Sequence, residues 1–250
     1  HRALITLLVV LSLGMASSSA ARLPVQDAKP AKKQDAKVKH EEREKPAKDI
    51  NDSYRNPNIK TCLGRLETES REIYAKRERI AKDLGIKPGM SVADIGSGTG
   101  FFTFLFAKHA GPKGRVYAVD IAKEMADRID KLASEQDLKN IKTVVCAEDS
   151  VDLPYDSVDL AFICDTYHHF EHPKKTMTSL YRAMRPGSEL VVIDFYRIEG
   201  KTREWVFGHV RAGKKTFTKE IEAAGFELID DGSKAGYLEE NYVIRFRKKQ

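Results

Sequence analysis

Two groups of residues in this chain have the types and spacing to do chemistry. The first is Asp94-Ile95-Gly96-Ser97-Gly98-Thr99-Gly100-Phe101, three glycines at alternate positions behind a short apolar run. Glycines there let the backbone turn sharply and a ligand come close. The apolar, helix-forming stretch that follows to Lys108 aims its free N–H groups and positive dipole end at that ligand. Twenty positions after Gly100, the strand-like segment Gly114 to Asp120 ends on an acid. A doubly wound sheet places a carboxylate there for the two hydroxyls of a ribose. These features imply a nucleoside-containing ligand.

The second group is Asp165-Thr166-Tyr167-His168-His169-Phe170-Glu171-His172, directly after the apolar run Val158 to Cys164. Ligands of an open α/β sheet bind outside the carboxyl ends of its strands, so this loop is aimed at the reacting centre. Histidine titrates near neutral pH and can take a proton from an attacking hydroxyl or amine. His168 and His169 are therefore candidate general bases, with Tyr167 beside them. His168, His169 and His172 with Asp165 and Glu171 also offer metal-ligand types. Adjacent histidines point in different directions, however, and no H-E-x-x-H spacing appears, so no metal is expected. Cys62, Cys146 and Cys164 form an odd set without C-x-x-C, which indicates neither a zinc site nor a disulfide framework.

The elements that must position these groups follow from periodicity and breakers. Leu66, Ile73, Ile80 and Leu84 at near-heptad spacing predict a helix over Leu63 to Leu84, with Gly85 as its stop. Strands are expected at Val92 to Ile95, Gly114 to Asp120, Ile141 to Cys146, Val158 to Cys164 and Glu189 to Phe195. Helices over Ile121 to Glu135 and Thr176 to Met184 lie between them. Trp205 to Arg211 reads as a polar-aromatic insertion before a helix at Thr218 to Phe226. Phe226 to Ile229 and Tyr242 to Phe246 read as a closing antiparallel pair. The fold class is α/β. The glycine spacing is G-x-G-x-G, not the G-x-G-x-x-G of dinucleotide enzymes, which disfavours a nicotinamide dehydrogenase.

The loop from Asp94 to Gly100, with Asp120 downstream, resembles motif I of the class I S-adenosylmethionine (SAM)-dependent methyltransferases. The loop after Cys164 looks like motif IV of the group that includes small-molecule enzymes of the ubiquinone-biosynthesis type (methyltransferase type 11). The resemblance covers about residues 60 to 247. It implies a Rossmann-like, doubly wound, seven-stranded, mostly parallel sheet of order 3-2-1-4-5-7-6 with a C-terminal antiparallel hairpin. In that order two strands separate those bearing Cys146 and Cys164, too far for a disulfide. It further implies that Asp94, Gly96, Ser97, Gly98, Thr99, Gly100 and Phe101 hold the methionine end of SAM. Asp120 and Ile121 would hold the ribose, Glu148 or Asp149 the adenine, and Asp165 the space beside the sulfonium. S-adenosylhomocysteine would be the product. A helix before motif I closes over such sites, which makes Glu67, Arg71 and Tyr74 candidates for facing the substrate. Trp205, His209 and Arg211 fall where the family builds substrate pockets. The expected reaction is in-line displacement of the methyl onto a small-molecule acceptor. The alternative is a non-catalytic nucleoside- or SAM-binding sensor or scaffold of the cell envelope.

Charge and composition place the rest. The 250 residues carry 43 Lys or Arg against 37 Asp or Glu, a net charge of +6 that is spread along the chain. No nucleic-acid motif is visible, so no nucleic-acid partner is expected. Ala3 to Leu13 is a predominantly apolar run behind Arg2, followed by Ser18-Ser19-Ala20-Ala21. That is the pattern of a signal peptide over residues 1–20, cleaved after Ala20. An uncleaved segment would instead be a membrane anchor, but the run is short for a span, and no transmembrane helix is expected in the mature chain. The expected location is periplasmic or secreted. Residues 21–52 are rich in Lys, Ala, Glu and Pro with few large apolar groups, so they read as a disordered linker before a domain at 53–250.

Overall fold

Strand residues with near-continuous burial and helices with one apolar stripe dictate a layered α/β arrangement. The protein is described here by a computed structural model covering residues 40–233 and 236–249. The expected signal segment and residues 21–39 of the expected linker lie outside the described residues. Four short helices come first: α1 (Asp52–Arg55), α2 (Ile59–Leu66), α3 (Glu72–Ala75) and α4 (Arg77–Asp83). There follow β1 (Ser91–Ile95), α5 (Phe101–Ala110), β2 (Arg115–Asp120), α6 (Lys123–Glu135), β3 (Ile141–Val145) and β4 (Val158–Cys164). A single 3-10 turn (Tyr167–His169) leads into α7 (Pro173–Ala183) and β5 (Met184–Phe195). The chain closes with α8 (Glu204–His209), α9 (Lys214–Ala223), β6 (Phe226–Asp230) and β7 (Asn241–Lys248).

The seven strands form one sheet in the order β3-β2-β1-β4-β5-β7-β6. β1 to β5 run parallel, and β7 is antiparallel to both β5 and β6. This is the expected architecture, hairpin included. Alternate residues of each strand face opposite sides. Ala161, Ile163, Leu190 and Val192 join one buried cluster with Met177, Leu180 and Phe217, while Leu160, Phe162, Val191 and Ile193 join another with Ile80, Phe102 and Phe106. β1 and β4 are neighbours at the centre of the sheet, so the two loops singled out by their chemistry leave from adjacent carboxyl ends. Cys62, Cys146 and Cys164 are free thiols.

Two expectations are corrected. The single helix over Leu63 to Leu84 is three helices, because its evenly spaced apolar residues do not share a face. Leu66 packs with Cys62, Ala122 and Met125, whereas Ile73 and Ile80 join the cluster beneath α5. Between α2 and α3 the hydroxyls of Thr68 and Ser70 bond to each other at 3.0 Å, and Arg71 is extended (φ −91°, ψ 119°). The expected linker also ends earlier than residue 52. Arg43 N donates to Arg211 O at 2.7 Å, Gly213 N donates to Glu42 Oε1 at 2.9 Å, and the His40 ring stacks on Phe207. Ile50 and Asn51 are buried. A polar segment can dock through backbone groups and charged side chains without an apolar stripe of its own. Among the described residues no helix is long and apolar enough to cross a membrane.

Candidate active site

The carboxyl ends of β1, β2 and β4 surround a first cleft. Between β1 and α5 the glycine loop takes positive φ at Gly96 (74°), Gly98 (50°) and Gly100 (86°). A Cβ on Gly96 would stand 2.3 Å from Thr166 Cγ2, and one on Gly100 2.7 Å from Ile129 Cγ1. Only glycine lets the loop lie this close to the β4 loop on one side and to α6 on the other. Gly98 N donates to Asp120 Oδ2 at 2.8 Å and Ala122 N to Asp120 Oδ1 at 2.9 Å, so the acid at the end of β2 braces the loop it serves. Burial raises the Asp120 carboxyl, and the backbone N–H groups of Ala122 and Gly98 oppose that rise. Asp94 is buried deeper, accepting from Thr103 Oγ1 at 2.6 Å. Burial lifts it to about 7, the Thr103 hydroxyl working against that and neighbouring Asp120 adding to it.

Whether this loop fits SAM is testable on the loop itself. The hydroxyls of Ser97 and Thr99 are buried and have no hydrogen-bond partner. Buried polar groups are ordinarily paired, so two orphans side by side on a ligand-binding turn fit a polar ligand there. Asp94, Gly96, Ser97, Gly98, Thr99, Phe101, Asp120, Ile121, Glu148 and Asp165 all line the first cleft. Gly100 does not, since its Cα is spent on close packing against α6. The two residues expected near the adenine lie in different places. Glu148 lines the cleft and accepts from Arg55 Nε at 2.6 Å, while Asp149 lies outside it, paired with Lys175 at 3.0 Å.

A second cleft shares Tyr54, Leu66, Arg71, Asp165 and His169 with the first, and continues to His168, Phe195, Arg203, Trp205 and His209. At the junction Arg71 Nη2 donates to Asp165 Oδ2 at 2.6 Å, and Asn241 Nδ2 donates to Asp165 Oδ1 at 2.6 Å. The break between α2 and α3 is what turns Arg71 inward. Burial lifts the Asp165 carboxyl, with Arg71 pulling the other way. His168 and His169 stand on the turn after β4, and His209 closes α8, their ring centroids 4.4 to 5.0 Å apart. His168 Nδ1 lies 2.8 Å from Asp194 Oδ1 on β5, and His169 Nδ1 lies 3.0 Å from Asn51 Oδ1. Burial pushes His169 down to about 2 and His209 down to about 4, and the neighbouring histidines add to both shifts. Trp205 meets Phe195 edge-on at 5.3 Å.

Four further expected site residues are placed elsewhere. Tyr167 is fully buried beneath the turn and its hydroxyl donates to Glu220 Oε2 at 3.1 Å. Burial raises its phenol further from ionisation. Arg211, also fully buried, grips both oxygens of Glu220 at 2.8 and 2.5 Å and lies over the Phe217 ring. Tyr74 packs edge-on against Phe101 under the Arg77 guanidinium, and Glu67 caps α2. None of the four lines either cleft. His172 is exposed at the start of α7, apart from the other histidines. Conversely, Asn51, Tyr54 and Asn241 line the clefts and Asp194 holds His168 from behind, and none of these was foreseen. An acid inside the apolar run of β5 was the one local signal, for Asp194.

The profile of the family described as "Methyltransferase domain" matches residues 86–241. The ubiquinone/menaquinone biosynthesis C-methyltransferase UbiE of Methylococcus capsulatus is 32% identical over 131 residues, 52% of this chain and 53% of that protein. The chain thus spans about half the length of this curated relative. A SAM-dependent methyltransferase from Aquifex aeolicus superposes with a TM-score of 0.63 at 25% identity, over 77% of this chain and all of that one. The fold is also shared with geranyl diphosphate C-methyltransferase from Streptomyces coelicolor, solved with S-adenosyl-L-homocysteine, at a TM-score of 0.56 and 14% identity over 76% and 83% of the two chains. With residues 86–241 matching, and with a glycine loop, a carboxylate at the end of β2 and orphaned hydroxyls that fit the cofactor of that family, this chain belongs to the methyltransferase-domain family.

Proposed function

We propose that the enzyme methylates a small aromatic molecule carrying a hydroxyl, amine or thiol, seated in the second cleft. The observation that carries this reading is the wall the two clefts share at Arg71, Asp165 and His169. A methyl donor in the first cleft and an acceptor in the second would meet there, as in-line displacement requires. Phe195 and Trp205 offer aromatic faces and edges for a planar acceptor. The curated relative named above acts in ubiquinone and menaquinone biosynthesis, which makes hydroquinones a natural part of any acceptor panel.

Of the two expected bases, His168 suits the role better. Asp194 holds its Nδ1, which fixes the tautomer with Nε2 as the proton acceptor and stabilises the imidazolium that forms. His169 serves as the divider between the clefts. Arg71 and Asp165 orient each other at the junction. The test is release of S-adenosylhomocysteine from SAM over a panel of hydroquinones, phenols, thiols and amines. His168→Ala should abolish release with an accepted compound while calorimetry shows SAM still bound. Full turnover in that variant would overturn the assignment.

We also place the reaction outside the cytoplasm, on the apolar run Ala3 to Leu13 behind Arg2 and the small-residue stretch after it. N-terminal sequencing of the mature protein should then begin at Ala21. A mature chain that retains residues 1–20 in the cytoplasm would overturn this placement.

A further inference from the structure

We propose that His168, His169 and His209 form a three-histidine site for a divalent transition metal of the zinc class, its open coordination position facing the second cleft. One ring nitrogen from each residue lies within 4.8 Å of the other two. Zinc–histidine bonds of about 2.0–2.1 Å in a tetrahedron put ligand nitrogens about 3.3 Å apart. Small rotations of three rings whose centroids are 4.4 to 5.0 Å apart cover the difference.

Three further features fit a metal better than a plain histidine cluster. No hydrogen bond joins any two of the rings among the described residues, so the nitrogens converge without satisfying one another. The Nδ1 atoms of His168 and His169 are each held from behind, by Asp194 and by Asn51, which leaves Nε2 of both for a ligand. Metal-binding histidines are oriented in this way by a carboxylate or carbonyl oxygen on the far nitrogen. Finally, Asp194 is completely buried, and among the described residues its only side-chain partner is His168, besides the backbone N–H groups of His168 and Phe195. A buried carboxylate without a cation is costly. A metal on Nε2 of His168 places positive charge where Asp194 needs it.

The donor set selects the ion. Three imidazoles suit zinc, cobalt, nickel or copper, whereas magnesium and calcium take oxygen ligands. Arg65 also lines the second cleft and would complement an anionic oxygen or sulfur on the open position, while Arg203 there is paired with Glu240 at 2.7 Å. If that ligand is the methyl acceptor, which rests on the reading of the second cleft given above, coordination lowers its pKa. With its Nε2 on the metal, His168 is a ligand and not a base, so the acceptor loses its proton to solvent, and the general-base role given above applies to the metal-free protein. Its lone pair forms the new bond to the methyl carbon, and the breaking carbon–sulfur bond leaves its electrons on sulfur.

The experiment is titration of the full chain with cobalt(II), followed by its visible ligand-field absorption, and with zinc(II) against a chromophoric chelator. One equivalent of cobalt should bind with the intense bands of a four- or five-coordinate centre and be displaced by zinc. His209→Ala and His209→Asn should each weaken binding at least about tenfold, and Asp194→Asn by about 10–100-fold. His109→Ala, an exposed histidine at the end of α5, should leave it unchanged. SAM calorimetry on every variant reports whether the fold and first cleft survive. Wild-type protein that binds SAM but no cobalt would overturn the metal site, as would cobalt binding indifferent to both His209 variants. Cobalt bound with no methyl transfer to any accepted class of compound would instead count against the acceptor reading and leave the metal site standing.

Discussion

The imidazole of His168 and the carboxylate of Asp194 meet at 2.8 Å in an environment that excludes water from both. They come from neighbouring strands, His168 from the turn that follows β4 and Asp194 from the end of β5. The carboxylate also accepts from the backbone N–H of His168 at 3.2 Å, so it fixes the turn as well as the ring. Asp194→Asn keeps the shape and one acceptor oxygen but removes the charge. Turnover should fall about 10–100-fold with little change in SAM affinity. Steady-state rates at saturating SAM, with a calorimetric SAM titration beside them, check this. Equal rates for variant and wild type would show that the pair only supports the turn.

Arg211 was expected to face the substrate and instead ties α9 to the preceding loop. Its guanidinium is inaccessible, held by Glu220 and stacked over Phe217, and Tyr167 shares the same carboxylate. Removing one partner of such a pair leaves the other uncompensated, at a cost of about 3 kcal/mol. Arg211→Met should therefore lower the unfolding free energy by roughly that amount, while SAM affinity in the surviving folded protein is unchanged. Denaturant unfolding and calorimetry read the two effects separately. The double variant Arg211→Met with Glu220→Gln should recover part of the loss.

Arg211 and Tyr167 also show where reading the sequence stops. Strands, glycine loop and the acid that ends β2 were legible because each is local: a run of apolar residues, an alternation of glycines, an acid at the end of a strand. Strand order followed from resemblance, and Glu148, Trp205 and His209 came out in the clefts. Polar residues near a site are different, because whether Arg211 points to ligand or core depends on Glu220 and Phe217 reaching it from α9. His209 could not be grouped with His168 and His169 for the same reason, since it lies 40 positions beyond His169. Asn51 was hidden by composition. The segment around it has few large apolar residues, and it docks through bonds to groups such as the His169 carbonyl and the Glu171 carboxylate that belong to another part of the chain.

Asp120, the residue expected to hold the ribose, already holds Gly98 N and Ala122 N with its two oxygens. Asp120→Ala should unbrace the loop and remove the ribose contact together. Hydrogen bonds to a charged group contribute about 1.5–3 kcal/mol each, so SAM affinity should fall at least about tenfold. Affinity for S-adenosylhomocysteine should fall in parallel, because the ribose is common to both. Calorimetric titration with each decides it, and undiminished affinity would move the ribose contact elsewhere.

Asp94 gives the cleft a titration near neutrality. Its carboxyl is raised to about 7 by burial, against the pull of Thr103 and with a contribution from Asp120. Cys164, at the end of the neighbouring strand, has its thiol raised well above the usual range, mainly by burial. An acid whose folded pKa lies above its unfolded one holds a proton in the native state that the unfolded chain has lost. Its contribution to stability is therefore complete below the ordinary aspartate range and is lost as pH rises towards about 7. Asp94→Asn removes that loss, so its melting temperature relative to wild type should be higher at pH 8 than at pH 5. The same acid should respond to the cofactor. A sulfonium and an ammonium in the first cleft favour the carboxylate over the acid, so SAM should bind with release of protons near pH 7. Calorimetry in buffers of different ionisation enthalpy measures that release, and it should vanish in Asp94→Asn. Identical binding enthalpies in all buffers for the wild-type protein would mean that Asp94 keeps its proton and takes no part in holding the charged end of SAM.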